Sequence, residues 1–258
     1  MSQKNNQNGK EKSVVDFVND SGFGFQAAVL KETERLFREK HSHWSFEVEE
    51  YPVSVQGKTA RIDFILKQNE MDRFIVAECK RVGPGQAWCF MKSPFVRRDY
   101  NPSDLGVDKL YKDGRNTYRG RHSLRHLEAG VFHQAVPLKS SEYGELKGSL
   151  NRSAIENACK QVFTGTNGFI DGIVKDSSLW PSESAMFIPV VFTTAPLLVL
   201  DKDLDTSSLE TGDLPNDTRV ERVDWLWLRQ HVWPSVISDV QIADSEFQKD
   251  LGNSLSRK

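Results

Sequence analysis

Two short apolar runs, each interrupted by charged residues, constrain this chain more than any other feature. The first run, residues 61–66, carries Asp63, and the second, residues 74–80, carries Glu78 and Lys80. The polar stretch between the two runs is typical of a hairpin connection. The sequence therefore predicts two antiparallel neighbouring strands with charged side chains in an otherwise apolar setting.

The expected register of these strands brings three charged side chains to one face. A turn centred near residues 70 and 71 places Asp63 directly opposite Glu78. Opposite residues on one face have Cβ atoms about 4.5–5.5 Å apart, and Lys80 shares that face because strand side chains alternate. Two half-buried carboxylates this close repel each other unless a cation lies between them or one takes up a proton. The arrangement predicts a site for a divalent metal beside a water molecule.

An ordinary cross-strand ion pair between Asp63 and Lys80, on a solvated sheet face, is the alternative interpretation. Three apolar residues share the face of Lys80, namely Phe74, Val76 and Val82. Because these side chains need cover, the pattern argues against a freely solvated surface.

Composition limits the class of protein. With 258 residues, of which 38% are hydrophobic, the chain suits one large domain or one domain with an insertion. A net charge of −2 gives no overall signal for a polyanion partner. The three cysteines, Cys79, Cys89 and Cys159, form no CxxC pair, so we expect reduced thiols in a cytoplasmic protein. The polar N-terminus carries no secretory signal, and prolines break the apolar run 188–200, so no membrane partner is expected.

Periodicity and turn residues predict an α/β or α+β fold in which a helix is followed by a three-strand meander. The expected domain covers residues 13–240, between a disordered tail (1–12) and a flexible C-terminal tail (241–258). Within it, residues 83–148 are interpreted as a basic insertion with some helices and loops. The other predicted elements are a helix over 23–40, a strand over 46–55, a helix from about 151 to 168, one or more buried strands over 186–200, a loop over 201–220 and a helix over 223–232.

This order of elements resembles the core of the PD-(D/E)xK nuclease superfamily, the restriction-endonuclease-like fold. The resemblance is carried by Ile62-Asp63 on one strand and Glu78-Cys79-Lys80 on the next. It covers residues 22–82 well and residues 150–200 loosely, and Ile62 replaces the proline of the motif. The resemblance implies a central mixed sheet flanked by helices, with the long insertion after the catalytic hairpin.

The resemblance also implies roles for particular residues. Asp63, Glu78 and the Cys79 backbone carbonyl would hold Mg²⁺ or Mn²⁺, for which hard oxygen ligands are suited. Lys80 would orient the attacking water or stabilise the charge on the pentavalent phosphorus. The first helix of the superfamily often donates another acidic residue, and Glu32, which falls on the apolar stripe of its helix, is the candidate.

Two glutamines are accessory candidates. Gln26 flanks the same apolar stripe as Glu32 and is the alternative to it. Some superfamily members carry Gln and Tyr on the helix after the motif. Gln161 matches the former, but Gly165 stands where the aromatic residue would be.

The insertion supplies a local excess of positive charge. Between residues 92 and 125, nine Lys and Arg residues stand against four Asp, with Tyr111 and Tyr118 interleaved. Such a segment favours phosphate contacts and base stacking, whereas a solvated basic loop is the alternative. The predicted nucleic-acid contacts are Arg97, Arg98, Lys109, Lys112, Arg115, Arg119, Arg121 and Arg125.

Together these features favour a Mg²⁺-dependent DNA endonuclease of the cytoplasm, acting as a homodimer or with a partner protein. A role in bacterial defence against phage or mobile DNA is an analogy with the superfamily. Two alternatives stay open. One is a nuclease-like scaffold that binds nucleic acid or a partner without cutting, and the other is an effector subunit activated by a partner.

Overall fold

The computed structural model of the protein describes most of the chain between residues 13 and 244. The described ranges are 13–55, 57–68, 71–91, 105–113, 116–124, 131–132, 134–140, 146–148, 153–176, 184–201, 213–214, 218–233 and 236–244. The predicted N-terminal tail lies outside them.

Two helices precede the sheet. Helix α1 spans Val14–Ser21 and helix α2 spans Phe23–Arg38. Gly22 joins them with a φ of 81°, and this left-handed conformation, which glycine adopts at little cost, ends α1 where α2 begins. Helix α2 confirms the predicted helix over 23–40, whereas the pattern did not indicate α1. The buried face of α2 consists of Gln26, Val29, Thr33 and Leu36.

The three-strand meander forms as predicted. Strands β1 (Trp44–Val55), β2 (Lys58–Gln68) and β3 (Arg73–Lys80) are antiparallel neighbours. Over residues 64–66 of β2 and 74–77 of β3, apolar residues alternate between the side packed by α2 and the side packed by the third helix. Strands β2 and β3 are therefore buried on both faces, which accounts for their nearly continuous apolar runs, whereas β1 is mostly exposed or half-buried.

The predicted helices in the insertion are wrong: in the described part of residues 83–148 every regular element is a strand. Val107 and Leu110 of this region are buried, each on a different face of the main sheet. The segment therefore completes the sheets instead of standing apart from them. Its strands are β4 (Gln86–Met91), β5 (Leu105–Asp113), β6 (Asn116–Leu124), β7 (Val131–Phe132), β8 (Gln134–Ser140) and β9 (Leu146–Gly148).

The third helix, α3, spans Ser153–Lys175 and runs past its predicted end at Gly168. A Cβ atom at Gly165 would lie 2.8 Å from Ile62 Cγ1, and one at Gly168 would lie 2.6 Å from Val53 Cβ. The two glycines therefore let the helix approach the meander closely. The prediction treated Gly168 as a helix-ending turn, but close packing is what requires a glycine there.

The C-terminal part consists of strands. Strands β10 (Ser184–Thr193) and β11 (Leu197–Asp201) confirm the buried strands predicted over 186–200. Strand β12 (Arg219–Val223) begins inside the predicted loop. The last two strands are β13 (Trp225–Trp233) and β14 (Val236–Asp244).

Two predictions about this part of the chain are wrong. The predicted helix over 223–232 is strand β13, buried on both faces by Leu226, Trp227 and Leu228. A short continuous apolar run does not distinguish a buried strand from a helix by periodicity. Residues 241–244 are not part of a flexible tail, because they end β14 and pair in parallel with β10.

The strands form two sheets, so the α+β class is confirmed. As far as the structure describes the chain, the larger, mixed sheet has nine strands, seven of them in the order β1-β2-β3-β10-β14-β13-β7, and the smaller has the order β12-β11-β4-β8-β9. Strand β10 pairs with β3 on one side; on the other, its first half pairs with β5 and its second half with β14. None of the described helices is long and apolar enough to cross a membrane.

The two sheets meet where β3 and β10 end. These strands are parallel, with Lys80 beside Thr193, and the strands that follow them, β4 and β11, are parallel as well. The Thr194 amide donates to the Lys80 carbonyl at 3.1 Å, and its hydroxyl accepts from the Val82 amide at 2.9 Å. These bonds hold the backbone firmly just after Lys80.

The close approach of α3 gives a stability prediction. We expect Gly168→Ala to destabilise the protein by about 1–3 kcal/mol, because the added methyl group overlaps Val53. Gly172→Ala is the matched control, since its Cβ would meet nothing nearer than Tyr51 Oη at 3.9 Å. The control should gain up to about 1 kcal/mol from helix propensity. Urea unfolding measures both changes, and equal effects of the two substitutions would contradict the packing argument.

Candidate active site

The hairpin of β2 and β3 sets the geometry of the site. The ladder runs from Gln68 opposite Arg73 to Phe64 opposite Ala77, and the next step in that register places Asp63 opposite Glu78. There the strand pairing gives way to a side chain: the Cys79 amide donates to Asp63 Oδ2 at 2.6 Å. The Asp63 carboxylate therefore lies where the β2–β3 ladder stops, in the middle of β2 and close to the end of β3.

Lys80 joins the two carboxylates from the same strand as Glu78. Its Nζ donates to Glu78 Oε1 at 2.5 Å, and the two side chains are 30% and 7% exposed. The structure thus brings together Asp63, Glu78 and Lys80, the three residues that the sequence pattern selected. The ammonium group of Lys80 pairs directly with Glu78, so the arrangement differs from the alternative of a solvated ion pair between Asp63 and Lys80.

The surroundings of the site are apolar. Phe74 and Val76, which share the face of Glu78 by alternation, pack with Phe169 and Ile170 of α3. Phe74 also stacks on Phe187, with ring centroids 5.4 Å apart. The carboxylates therefore end an apolar face and do not lie on a solvated sheet surface.

Burial changes the protonation of both acids. Burial raises the pKa of Glu78 to about 7, the negative charge of Asp63 adds to the rise, and Lys80 opposes it. Burial likewise raises the pKa of Asp63, while the Cys79 amide and Lys80 act in the lowering direction. Within this chain the charge on the pair is only partly compensated, as expected of a site that receives a cation.

A third carboxylate, Glu50 of β1, belongs to this neighbourhood and was missed by the sequence analysis. Its charge contributes to the raised pKa values of both Asp63 and Glu78. Gln26 of α2, which is 7% exposed, donates from Nε2 to the Asp63 carbonyl at 2.9 Å and to Glu50 Oε1 at 3.3 Å. The doublet Glu49-Glu50, which breaks the alternation of its strand, is the one signal that could have pointed there.

The helix positions differ from the prediction. Glu32 does not turn inward to the site: its carboxylate accepts from Arg35 on the same helix at 2.6 and 2.8 Å. The side chain of α2 that reaches the site is Gln26, six residues earlier and well inside the buried face. Gln161 is exposed on α3, among residues that face solvent.

The basic residues are only partly placed. Arg119 is engaged within the protein, by Asp108 at 3.0 Å and by the Asn167 side chain of α3. Lys109 and Lys112 are half-buried on β5, and Arg121 lies on β6. Arg97, Arg98, Arg115 and Arg125 lie outside the described residues.

The hairpin of β5 and β6 lies at the opposite end of β10 from the carboxylates. Lys109 pairs with Met186, and Lys80 pairs with Thr193 seven residues further along the same strand. At about 3.3 Å per residue, this separation is roughly 23 Å along the sheet.

The donor set fits a hydrated hard cation. Among the described residues no three His, Cys, Asp or Glu side chains converge closely enough to form a ligand cluster by themselves. Two carboxylates, however, suit Mg²⁺, which keeps several of its own waters. The Lys80 carbonyl accepts from Thr194 on the β10 side, so by alternation the Cys79 carbonyl is directed to the β2 side, where Asp63 lies.

No protein-family model, curated protein or solved structure matches this chain.

The raised pKa of Glu78 predicts a particular dependence of stability on pH. Between its ordinary pKa near 4.5 and its folded value of about 7, the folded state binds the proton more tightly than the unfolded state. The free energy of unfolding therefore falls as pH rises through that window, by about 1.4 kcal/mol per pKa unit and up to about 3 kcal/mol in all.

We expect Glu78→Gln to remove most of this fall, so that the variant is more stable than the parent at pH 8 in the presence of a chelator. Glu49→Gln, which removes an exposed carboxylate of β1, is the control and should follow the parent curve. Urea unfolding at pH 5 and pH 8 measures the difference. Parallel curves for the parent and Glu78→Gln would show that the buried carboxyl does not titrate as described.

Proposed function

We propose that this chain is a metal-dependent nuclease that hydrolyses phosphodiester bonds, most readily in DNA, on a restriction-endonuclease-like core. The observation that carries the proposal is the junction of Asp63 and Glu78 at the end of the β2–β3 ladder, with Lys80 Nζ 2.5 Å from Glu78 Oε1. Paired carboxylates and an adjacent ammonium group, set against an apolar face, are the groups that metal-assisted hydrolysis of a phosphodiester requires.

The proposed cofactor is Mg²⁺ or Mn²⁺. When bound by Asp63, Glu78 and the Cys79 carbonyl, it would polarise a phosphoryl oxygen and acidify a coordinated water. The fit is supported by hard oxygen donors and by the burial and the neighbouring Asp63 charge, which together raise the pKa of Glu78 although Lys80 opposes them. Because Glu78 must be ionised to serve as a ligand, cation binding should release a proton near neutral pH.

The chain's own residues orient the carboxylate ligand and stabilise the negative charge that develops on the substrate. Asp63 is held by the Cys79 amide on one side of its carboxylate, so its direction does not depend on solvent. Lys80 carries its positive charge at Nζ beside Glu78, where it can stabilise the negative charge that develops on the phosphoryl oxygens. The backbone bonds of Thr194 keep Lys80 in place.

A surface depression follows the site residues along the chain. An open depression of about 420 Å³ begins directly after Lys80, lined by residues 81–87 together with Thr194 and Pro196. Arg81 at its rim binds the Asn19 carbonyl at 2.7 Å. We propose this depression, whose lining residues follow Lys80 along the chain, as the place where the substrate backbone lies.

A second contact with nucleic acid is proposed on the hairpin of β5 and β6. Tyr111 and Tyr118 stack on each other with ring centroids 5.5 Å apart and are 43% and 42% exposed. Gly120 leaves room for the Tyr111 ring, because a Cβ there would lie 3.3 Å from Tyr111 Cε1. Exposed aromatic rings among basic residues can stack with unpaired bases. This contact would lie several nucleotides from the bond that is cleaved.

A nuclease-like scaffold that binds without cutting is the second candidate. It is favoured by the direct Lys80–Glu78 ion pair, which partly neutralises the site without a cation. It is also favoured by the lack of a three-ligand cluster among the described residues. In such a protein the loss of Asp63 would leave binding of nucleic acid unchanged.

Plasmid cleavage tests the proposed activity. With Mg²⁺ present, we expect Asp63→Asn and Lys80→Ala each to lower the rate by about 100-fold or more, since each removes a group that acts in the transition state. Lys67→Ala is the matched control, because Lys67 pairs with Asp72 at 3.3 Å at the other end of the same hairpin.

The control variant should cut like the parent. No cleavage by the parent, together with equal DNA binding by the parent and Asp63→Asn, would favour the scaffold. Cleavage that survives both site substitutions would place the activity elsewhere in the chain.

The tyrosine pair gives a separate binding prediction. We expect Tyr118→Ala to weaken binding of a single-stranded oligonucleotide by about 1–3 kcal/mol, the usual value of one stacked base. Tyr118→Phe keeps the ring and should bind like the parent. Fluorescence anisotropy with a labelled oligonucleotide measures both, and equal affinities for the Ala and Phe variants would exclude stacking at this residue.

A further inference from the structure

Glu50 has a backbone conformation that glutamate rarely adopts. Its φ is +50°, and Lys40 is the one other non-glycine residue with a positive φ in the described part of the chain. A side chain in this region costs on the order of 1 kcal/mol or more, a cost that glycine would avoid. A strained glutamate inside a strand indicates that its side chain has a use that offsets the strain.

The strain opens the ladder next to Asp63. Glu49 pairs with Phe64 and Tyr51 pairs with Ile62, but the pair between them, Glu50 with Asp63, is missing from the β1–β2 ladder. The Asp63 carbonyl is satisfied instead by the buried amide of Gln26 at 2.9 Å. The same amide donates to the Glu50 carboxylate, so one side chain connects Glu50 to the backbone of Asp63.

The charge of Glu50 also acts on the site. It adds to the negative potential at both Asp63 and Glu78. Among the described side chains it forms an ion pair with Arg61, whose Nη1 lies 3.5 Å from Glu50 Oε2 and whose side chain is 69% exposed. An exposed guanidinium is screened by water, so Arg61 compensates Glu50 only in part. Three carboxylates therefore stand near one another with Lys80 as the close cation of the inner pair.

We propose that Glu50 is a positioning residue of the site: through its charge and through Gln26 it strengthens the binding of the divalent cation at Asp63 and Glu78. The inference rests on the proposed function, since it assumes a cation at those two residues. Glu50 adds negative potential without a direct bond to the reacting atoms. Gln26 keeps the backbone of Asp63 in place where the ladder is open.

Isothermal titration calorimetry of the whole protein with Mn²⁺ tests this role, because it measures cation affinity independently of catalysis. Glu50→Gln removes the charge and keeps the shape, and we expect it to weaken cation affinity by about tenfold. Glu49→Gln is the matched control, because it removes an exposed carboxylate from the neighbouring residue of the same strand. That variant should change the affinity by less than about twofold.

The variant Glu50→Gly distinguishes an effect on cation binding from an effect on folding stability. Glycine is relaxed at a φ of +50°, so this variant should melt at the same temperature as the parent or higher. It should nevertheless lose cation affinity as Glu50→Gln does. A residue with a purely structural role would not show stable folding together with weakened binding.

The outcomes distinguish the two proposals. If the parent binds Mn²⁺ and Asp63→Asn does not, while both Glu50 variants bind like Glu49→Gln, the role of Glu50 is overturned and the proposed function stands. If the parent does not bind Mn²⁺, or if Asp63→Asn binds like the parent, both proposals are overturned. Weakened binding in the Glu50 variants alone, with an unchanged Glu49→Gln control, supports the inference.

Discussion

The antiparallel register of β2 and β3 is the constraint on which the candidate site depends. Strand side chains alternate with a period of two, so a slip of one residue would turn Glu78 and Lys80 toward α2. Apolar pairs on both faces prevent this slip: Ile65 and Val76 pack toward α3, whereas Leu66 and Ile75 pack toward α2. A slip would move the side chains of each face into the hydrophobic cluster on the opposite face, where they do not fit. Packing therefore specifies the register, in addition to the turn.

The charged groups of the site lower the free energy of unfolding of the protein. The buried carboxylate of Glu78 and the half-buried one of Asp63 are neighbours, and the ammonium group of Lys80 and one backbone amide only partly offset the cost of desolvating them. The strained backbone of Glu50 adds a further cost on the neighbouring strand. A cluster of such costs at one end of a well-packed hairpin is the pattern expected of a functional site rather than of a structural ion pair.

Much of the architecture was predictable where the pattern is local. The helix over 23–40, the meander and the Asp63–Glu78 register follow from apolar spacing and one polar connection, and the structure confirms them. Strand β13 was not predictable, because a short apolar run buried on both faces looks the same whether it is helical or extended. The full length of α3 was hidden by Gly168, whose role is set by a strand more than a hundred residues earlier in the chain.

In the candidate site, too, local features were predictable from the sequence and contacts between distant elements were not. The sequence by itself determined that Asp63, Glu78 and Lys80 converge, because a hairpin has a fixed alternation and its turn centre can be read from the residues. Only the tertiary structure decided that Gln26 reaches the site instead of Glu32, and that Glu50 completes its charge. Those contacts depend on the rotation of α2 against the sheet and on one irregular residue in β1. Neither leaves a periodic signal, because both arise from packing between elements that are distant along the chain.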